Sequence, residues 1–430
     1  MEKLMRLSIK KPPNFTKFNI LKVLNFFLFL ASFFNSTILL VWTLFVTVYY
    51  IKKEKSDGCL HTLLIIQVRS ILNPGLAISY AGTSAIVKWI VIFLCSFFIF
   101  YYNQNAFKVK KIINCFFIFN IFILFITITS FIYSSYPITA VFKIISYYIP
   151  FLSIIIGIYF TDNNKFSVII NRYLSLIVFF SVFLFFSPLG YFRNGIFFQG
   201  LTNHPNLFAI IIPLFIANYL YLNYDKFSIS IIFIVLISFI LLSQTQSRTG
   251  MISFCIIIII YLYNLRIKIN KKLVILGALL MFSMILYTFN FDSINKNISD
   301  YMYKGHDNIL ESRESQQQNN LNRFYEHPLC GTGFNVPYDE NIREYSFSFD
   351  LIVENGNLVY ALLGDIGIIG LILFIISYGY IFFNGKGILL FIAPLLVCMG
   401  EMTFFSTNNL GILLYFFYGI YFKGRNQKIC

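Results

Sequence analysis

The sequence predicts an all-α polytopic membrane protein of about fourteen transmembrane helices (twelve to fourteen) with one large extracytoplasmic loop. Three observations carry this. Apolar side chains make up 58% of the 430 residues and charged ones 12%, about half the charged share of a soluble domain. Mean hydropathy is +0.74. Apolar runs approaching the roughly 20 residues that a spanning helix needs recur along the whole chain. A secreted, cytosolic or nucleic-acid-bound enzyme is excluded as the main reading. The seven cysteines are scattered, with no paired spacing for disulfides or zinc, and read as small apolar residues.

Fourteen spans follow in order, near 19 to 34, 37 to 51, 60 to 80, 85 to 102, 112 to 132, 139 to 160, 168 to 187, 204 to 222, 228 to 243, 250 to 263, 273 to 290, 358 to 381, 387 to 404 and 410 to 422. Residues 1–290 thus carry helices 1 to 11, 291–357 form the large loop, and 358–430 carry helices 12 to 14. The first two spans make a hairpin turning at Asn35 and Ser36, and no removable signal peptide is expected. Orientation follows from Lys and Arg, which mark cytoplasmic loops. The tail (Lys3, Arg6, Lys10, Lys11, Lys17), then Lys52, Lys53 and Lys55, then Lys108, Lys110 and Lys111, then Arg266, Lys268, Lys271 and Lys272, and finally Lys423, Arg425 and Lys428 fall on every second connection. Both termini are then cytoplasmic and 291–357 lies outside. That loop is 67 residues long and holds 11 of the 18 acidic residues and two of the four histidines. Its length argues for a functional element. Residues 308–325 read as a polar helix with a thin apolar stripe of Ile309, Leu310, Leu321 and Phe324.

Five cations sit in or beside short outward connections, against the positive-inside trend: Arg69, Lys88, Lys143, Arg193 and Arg248. An ionisable group at membrane depth is a functional candidate by default. Arg248 lies in SQTQSRTG (243–250), a polar turn between two apolar helices. A helix start with open backbone amides beside a guanidinium suits an anion, and guanidinium binds phosphate through paired hydrogen bonds. Arg69 stands five residues before Pro74, where its head can reach the outer interface or simply snorkel. Arg193 occupies a more exposed loop, and Lys88 and Lys143 read as interface anchors. In GLTNHPNLFA (200–209), Asn203 can cap a helix whose first turn holds Pro205, with His204 at the outer boundary. In the large loop, NRFYEHPLCGTGF (322–334) joins Arg323, Glu326 and His327 to a glycine turn whose amides can face an anion. Downstream, ENGNLVYALLGDIGIIGL (354–371) carries Glu354, Asn355, Asn357 and Asp365 at the outer end of a span, where a carboxylate can take a proton from a hydroxyl or cap the helix.

Taken in order, Arg-Ser-Ile-Leu-Asn-Pro-Gly (69–75), Gly-x-x-x-His-Pro-Asn (200–206), Ser-Arg-Thr (247–249), His-Pro-Leu-x-Gly-x-Gly (327–333), Asn-Gly-Asn (355–357) and Gly-Ile-Ile-Gly-Leu (367–371) resemble the O-antigen polymerase (Wzy-type) and O-antigen ligase superfamily. The likeness covers most of the chain thinly. Ligases of this superfamily carry a His-Asn pair before the helix after the large loop, where this sequence reads Gly356-Asn357. That departure favours polymerase over ligase.

The resemblance implies a GT-C-like membrane glycosyltransferase of the bacterial inner membrane. It would transfer a growing glycan from undecaprenyl diphosphate to another lipid-linked repeat unit at the outer leaflet, in O-antigen or capsule synthesis. Developing charge on the diphosphate needs preorganised cations, and Arg248, Arg69, Arg323 and Arg193 are the candidates. The acceptor hydroxyl needs a base, for which Glu354, Asp350 and His327 are unranked, with His204 and Asn357 as further contacts. No outward Asp-x-Asp pair is present, so metal-independent transfer without a cofactor is expected. The expected partners are the undecaprenyl-diphosphate-linked oligosaccharide and the bilayer, with a chain-length regulator and a flippase beside them and no nucleic acid. The competing readings are an O-antigen ligase, which shares the donor, and a flippase for the same lipid-linked oligosaccharide, against which stand the long acidic loop and the absence of two related halves.

Overall fold

The computed structural model describes residues 15–73, 75, 77–162, 164–191, 195–224, 228–264, 314–347, 351, 353, 355–407 and 410–424. Among these residues the chain is helical, with no strand. The helices are α1 (Phe15–Ala31), α2 (Ser36–Glu54), α3 (Ser56–Ile71), α4 (Thr83–Tyr102), α5 (Lys110–Tyr133), α6 (Pro137–Phe160), α7 (Lys165–Leu184), α8 (Pro205–Leu222), α9 (Ile229–Ser243), α10 (Arg248–Asn264), α11 (Glu314–Glu326), α12 (Leu358–Asn384), α13 (Ile388–Cys398) and α14 (Gly411–Lys423). Seven of them (α2, α4, α5, α6, α7, α8 and α12) are long and apolar enough to cross a membrane, and α9, α10, α13, α14 and most of α1 are shorter apolar helices. This is a polytopic membrane protein. The expected span at 273–290 lies outside the described residues.

Burial sorts the helices into an inner and an outer set. Every residue of α14 from Gly411 to Phe422 is buried, and α6 buries Ile144, Tyr147 and an unbroken run from Pro150 to Ile158. By contrast, the outer helices expose large apolar side chains, among them Phe27, Phe117, Phe183 and Phe233, each more than 60% accessible. In water such a surface would be a liability. Lipid is its natural cover, since helices satisfy their own backbone groups and need only apolar contact outside. In the interior, Tyr147 of α6, Tyr378 of α12 and Tyr415 and Tyr418 of α14 surround Phe151, and the hydroxyls of Tyr147 and Tyr378 meet at 2.6 Å. The helix α3 is short and relatively polar because it runs through this interior, with Gln67 and Arg69 buried along it.

Local signals set most boundaries. Asn35 caps α2, its side chain accepting from the amides of Thr37 and Ile38, and Pro137 and Pro205 open α6 and α8. Two spans are shorter than expected. The run 60 to 80 stops being helical at Ile71, where Leu72 bridges Thr202 and the Asn73 amide donates to the Leu201 carbonyl at 3.1 Å. The run 387 to 404 ends at Cys398. In both places a polar tertiary contact replaces the last helical turns.

The large loop's described part is docked, and its buried residues differ from the expected apolar stripe. Asn320 and Arg323 are the buried side chains of α11, while Leu321 and Phe324 are half-buried. The following segment splices into α12 at Gly367, whose φ of 65° breaks the helix. The amides of Thr332 and Gly333 donate to the carbonyls of Gly364 and Asp365 at 3.0 and 3.1 Å. In return, Ile368 and Ile369 donate to the Pro328 and Leu329 carbonyls at 2.9 and 3.2 Å. Glycine is required here, because a Cβ on Gly367 would lie 2.5 Å from the Leu329 carbonyl carbon. The loop is also pinned to the α5–α6 turn, where Phe334 donates to Ser130 Oγ and Asp339 to Ser135 Oγ, both at 3.0 Å.

Candidate functional site

The Arg248 turn forms as a capped helix start. Ser247 Oγ accepts from the Gly250 amide at 3.3 Å, the usual bond from a cap to the third helical residue. Arg248 is then the first residue of α10 and half-buried. Gly250 lets α10 approach α8 closely, since a Cβ there would sit 2.8 Å from the Ala209 carbonyl oxygen.

The start of α8 lies beside it. His204, rather than Asn203, is the cap: its Nδ1 accepts from the Asn206 amide at 3.0 Å. Pro205 at the first helical position assigns capping to the residue before it. With Nδ1 accepting, a neutral ring carries its proton on Nε2.

A third helix start completes the arrangement. Asn357 caps α12 through Oδ1, which accepts from Val359 at 2.8 Å, while its Nδ2 donates to the Met399 carbonyl at 2.8 Å. Residues 399–401, just past α13, are the common meeting point. Gly400 faces Thr249 so closely that a Cβ would lie 2.0 Å from Thr249 Oγ1. At the next residue, Glu401 Oε1 accepts from Asn206 Nδ2 at 2.7 Å. Glu401 lies inside the apolar run 387 to 404, which reads in sequence as one continuous span. A carboxylate inside that run was the signal, by the same default that flagged Arg248.

Three helix N-termini, from α8, α10 and α12, therefore meet around one short segment. Each contributes roughly half a positive charge at its start. With the Arg248 guanidinium added against the Glu401 carboxylate, positive charge is in excess, and the place suits an anion. Neighbouring segments share this end of the bundle: the Leu72–Thr202 bridge brings the early motif to the α8 start, and Phe198 donates to the Gln244 carbonyl at 3.0 Å beside the Arg248 turn.

The other candidates stand elsewhere. Arg69 is 1% exposed, donates to the Ser32 hydroxyl at 3.0 Å and to the Ser32 and Ile78 carbonyls at 2.8 and 2.9 Å, and stacks on Phe33. Arg323, also 1% exposed, makes an ion pair with Asp365 at 2.7 Å and donates to Thr332 Oγ1 at 2.8 Å and to the Gly333 carbonyl at 3.0 Å. Asp365 accepts in turn from the Asn335 amide at 2.9 Å. Lys143 ties the loop down through the carbonyls of Asn335 and Leu351, and Lys88 is buried beside the Tyr80 ring. His327 stacks on Tyr133 at 4.7 Å and accepts through its carbonyl from the Gly331 amide. Arg193, Asp350 and Glu354 lie outside the described residues. The structure thus brings Arg248, His204 and Asn357 together and gives Arg69, Arg323 and His327 other surroundings.

On the exposed side of the loop two carboxylates, Glu326 and Glu340, influence each other. Glu340 is held above its ordinary value by its bond to Glu326 and the charge beside it. Tyr338 next to them is pushed up to about 12 by burial and by the same Glu326.

A family model described as O-antigen ligase matches residues 233–375, about a third of the chain, from α9 through the loop to the middle of α12. No curated protein matches. The match supports the O-antigen polymerase and ligase superfamily, whose members process glycans as membrane enzymes, and it is common to both activities.

Proposed function

We propose that this chain is a polysaccharide polymerase of the bacterial inner membrane. It moves a growing glycan from undecaprenyl diphosphate onto another lipid-linked repeat unit at the outer leaflet. The observation that carries this is the meeting of the α8, α10 and α12 N-termini with Arg248 at one end of the bundle. The leaving group of such a transfer is a lipid diphosphate, and the charge that develops as its bond to the sugar breaks must be met by donors already in place. Oriented amides and a bidentate guanidinium are such donors, and lipid-facing helices let the polyprenyl tail remain in the bilayer. Basic connections on every second loop support a topology with both termini in the cytoplasm and this end outside. Arg248 is the residue assigned to the diphosphate. Arg323 and Arg69, whose guanidiniums are engaged with Asp365 and with backbone carbonyls, are assigned to holding the fold.

The ligase reading has the family match in its favour. Against it stands Gly356, a left-handed turn with φ of 65° where the ligase histidine would be. Purified protein given a synthetic undecaprenyl-diphosphate-linked repeat unit should yield a ladder of products. In a deletion strain, single repeat units on the lipid core would support polymerase. Ladders left on the lipid carrier with none on the core would overturn it in favour of ligase, and repeat units retained in the cytoplasmic leaflet in favour of a flippase.

A further inference from the structure

We propose that Glu401 is the general base of the transfer, the group that takes the proton from the acceptor sugar's hydroxyl. This rests on the polymerase reading and adds to it the catalytic carboxylate. Glu401 is the carboxylate that the described residues place at the meeting of the three helix starts, one residue beyond Gly400 against Thr249 and in contact with Asn206. Asp365 lies two turns into α12 and is committed to Arg323. His327 rests on Tyr133.

Geometry and charge both suit the role. Asn206 Nδ2 fixes one carboxylate oxygen at 2.7 Å, and Asn206 is itself held at the first turn of α8, where its amide donates to His204. A carboxylate offers about four acceptor positions, and this bond to one oxygen helps set its orientation. The surrounding helix N-termini and Arg248 set positive charge beside this carboxylate. Half-burial leaves a path for the proton to solvent. In the step, Glu401 takes the hydroxyl proton as the acceptor oxygen forms its bond to the donor's anomeric carbon. The bond from that carbon to the diphosphate oxygen breaks with its electron pair on the leaving group, so undecaprenyl diphosphate departs as an anion and Glu401 ends protonated. The same site therefore places the base and the leaving-group donors within one cluster.

The test compares wild type, Glu401→Gln, Glu401→Asp and Asn206→Ala on the synthetic lipid-linked repeat unit. Polymer formation, the pH profile of kcat/KM and the thermal shift induced by undecaprenyl diphosphate are read separately. E401Q should lose about 100-fold or more in turnover while keeping the diphosphate-induced shift, and its residual rate should lack the acidic limb seen in wild type. E401D should retain part of the rate with the limb displaced, and N206A should displace the limb without abolishing it. Wild-type turnover in E401Q overturns the inference, and so does a reduced rate with the acidic limb intact, which would mark a structural role. If E401Q is poorly folded, the E401D and N206A profiles decide by the same criterion. Failure of wild type to extend the unit would instead overturn the polymerase reading on which Glu401 depends.

Discussion

Two places in this molecule combine an arginine, a carboxylate and close glycines, and they are built on opposite plans. At the splice between the loop and α12, Arg323 and Asp365 face each other at 2.7 Å with both side chains almost wholly buried. Thr332, Gly333 and Asn335 add further bonds around them. At the meeting of α8, α10 and α12, the charges are half-buried and the donors are helix ends. A pair of buried opposite charges cancels, leaves no field for a ligand and mainly fixes a conformation. Helix starts cannot cancel one another, because all present the same sign. The first arrangement holds a loop in place and the second is suited to receiving an anion.

The contrast is broken or sharpened by four substitutions. Asp365→Ala should have the largest effect, leaving a buried guanidinium unpaired at a cost of about 3–5 kcal/mol. Membrane levels and the melting temperature in detergent should fall together, and the apolar pair Arg323→Met with Asp365→Leu should recover much of the loss. Next is Arg248→Ala, expected to lower polymer formation by about 100- to 1,000-fold, the loss of one preorganised donor, with melting temperature and protein level close to wild type. A melting temperature that drops as far as in D365A would erase the distinction between the two places. Gly367→Ala follows, with about 1–3 kcal/mol of backbone strain expected plus the clash with Leu329, read as faster amide exchange in residues 328–333. The smallest effect belongs to Glu340→Gln. A carboxyl whose folded value is raised stabilises the fold at acidic pH and loses that contribution as pH climbs through it. The substitution should therefore raise the melting temperature slightly at pH 7 and leave it unchanged near pH 4.

What could be read from the sequence divides along the same line. Hydropathy disclosed nearly every helix, because each apolar run is a local property. Arg248, His204 and Asn357 were also visible, since polar residues at a helix start announce themselves within a few positions. Arg323, by contrast, looked like Arg248 until its partner was known, and that partner is Asp365, 42 residues away across a loop. Glu401 had a local signal, a carboxylate inside an apolar run, but its surroundings were not local. Its neighbour Asn206 is 195 positions distant, and the break that exposes it is made by tertiary contact rather than by proline. Distance in sequence, not subtlety of chemistry, separated what was legible from what was not.

The splice at Gly367 also constrains how the protein is made. Four backbone groups of α12 find partners only in residues 328–333, and orphaned amides and carbonyls are heavily penalised in hydrocarbon. The ribosome delivers the loop first, so in the topology proposed above it has crossed the bilayer by the time α12 arrives. Docking of one segment and completion of the next thereby become a single assembly event, and a chain whose loop and α12 were kept apart would be left with a broken helix in oil.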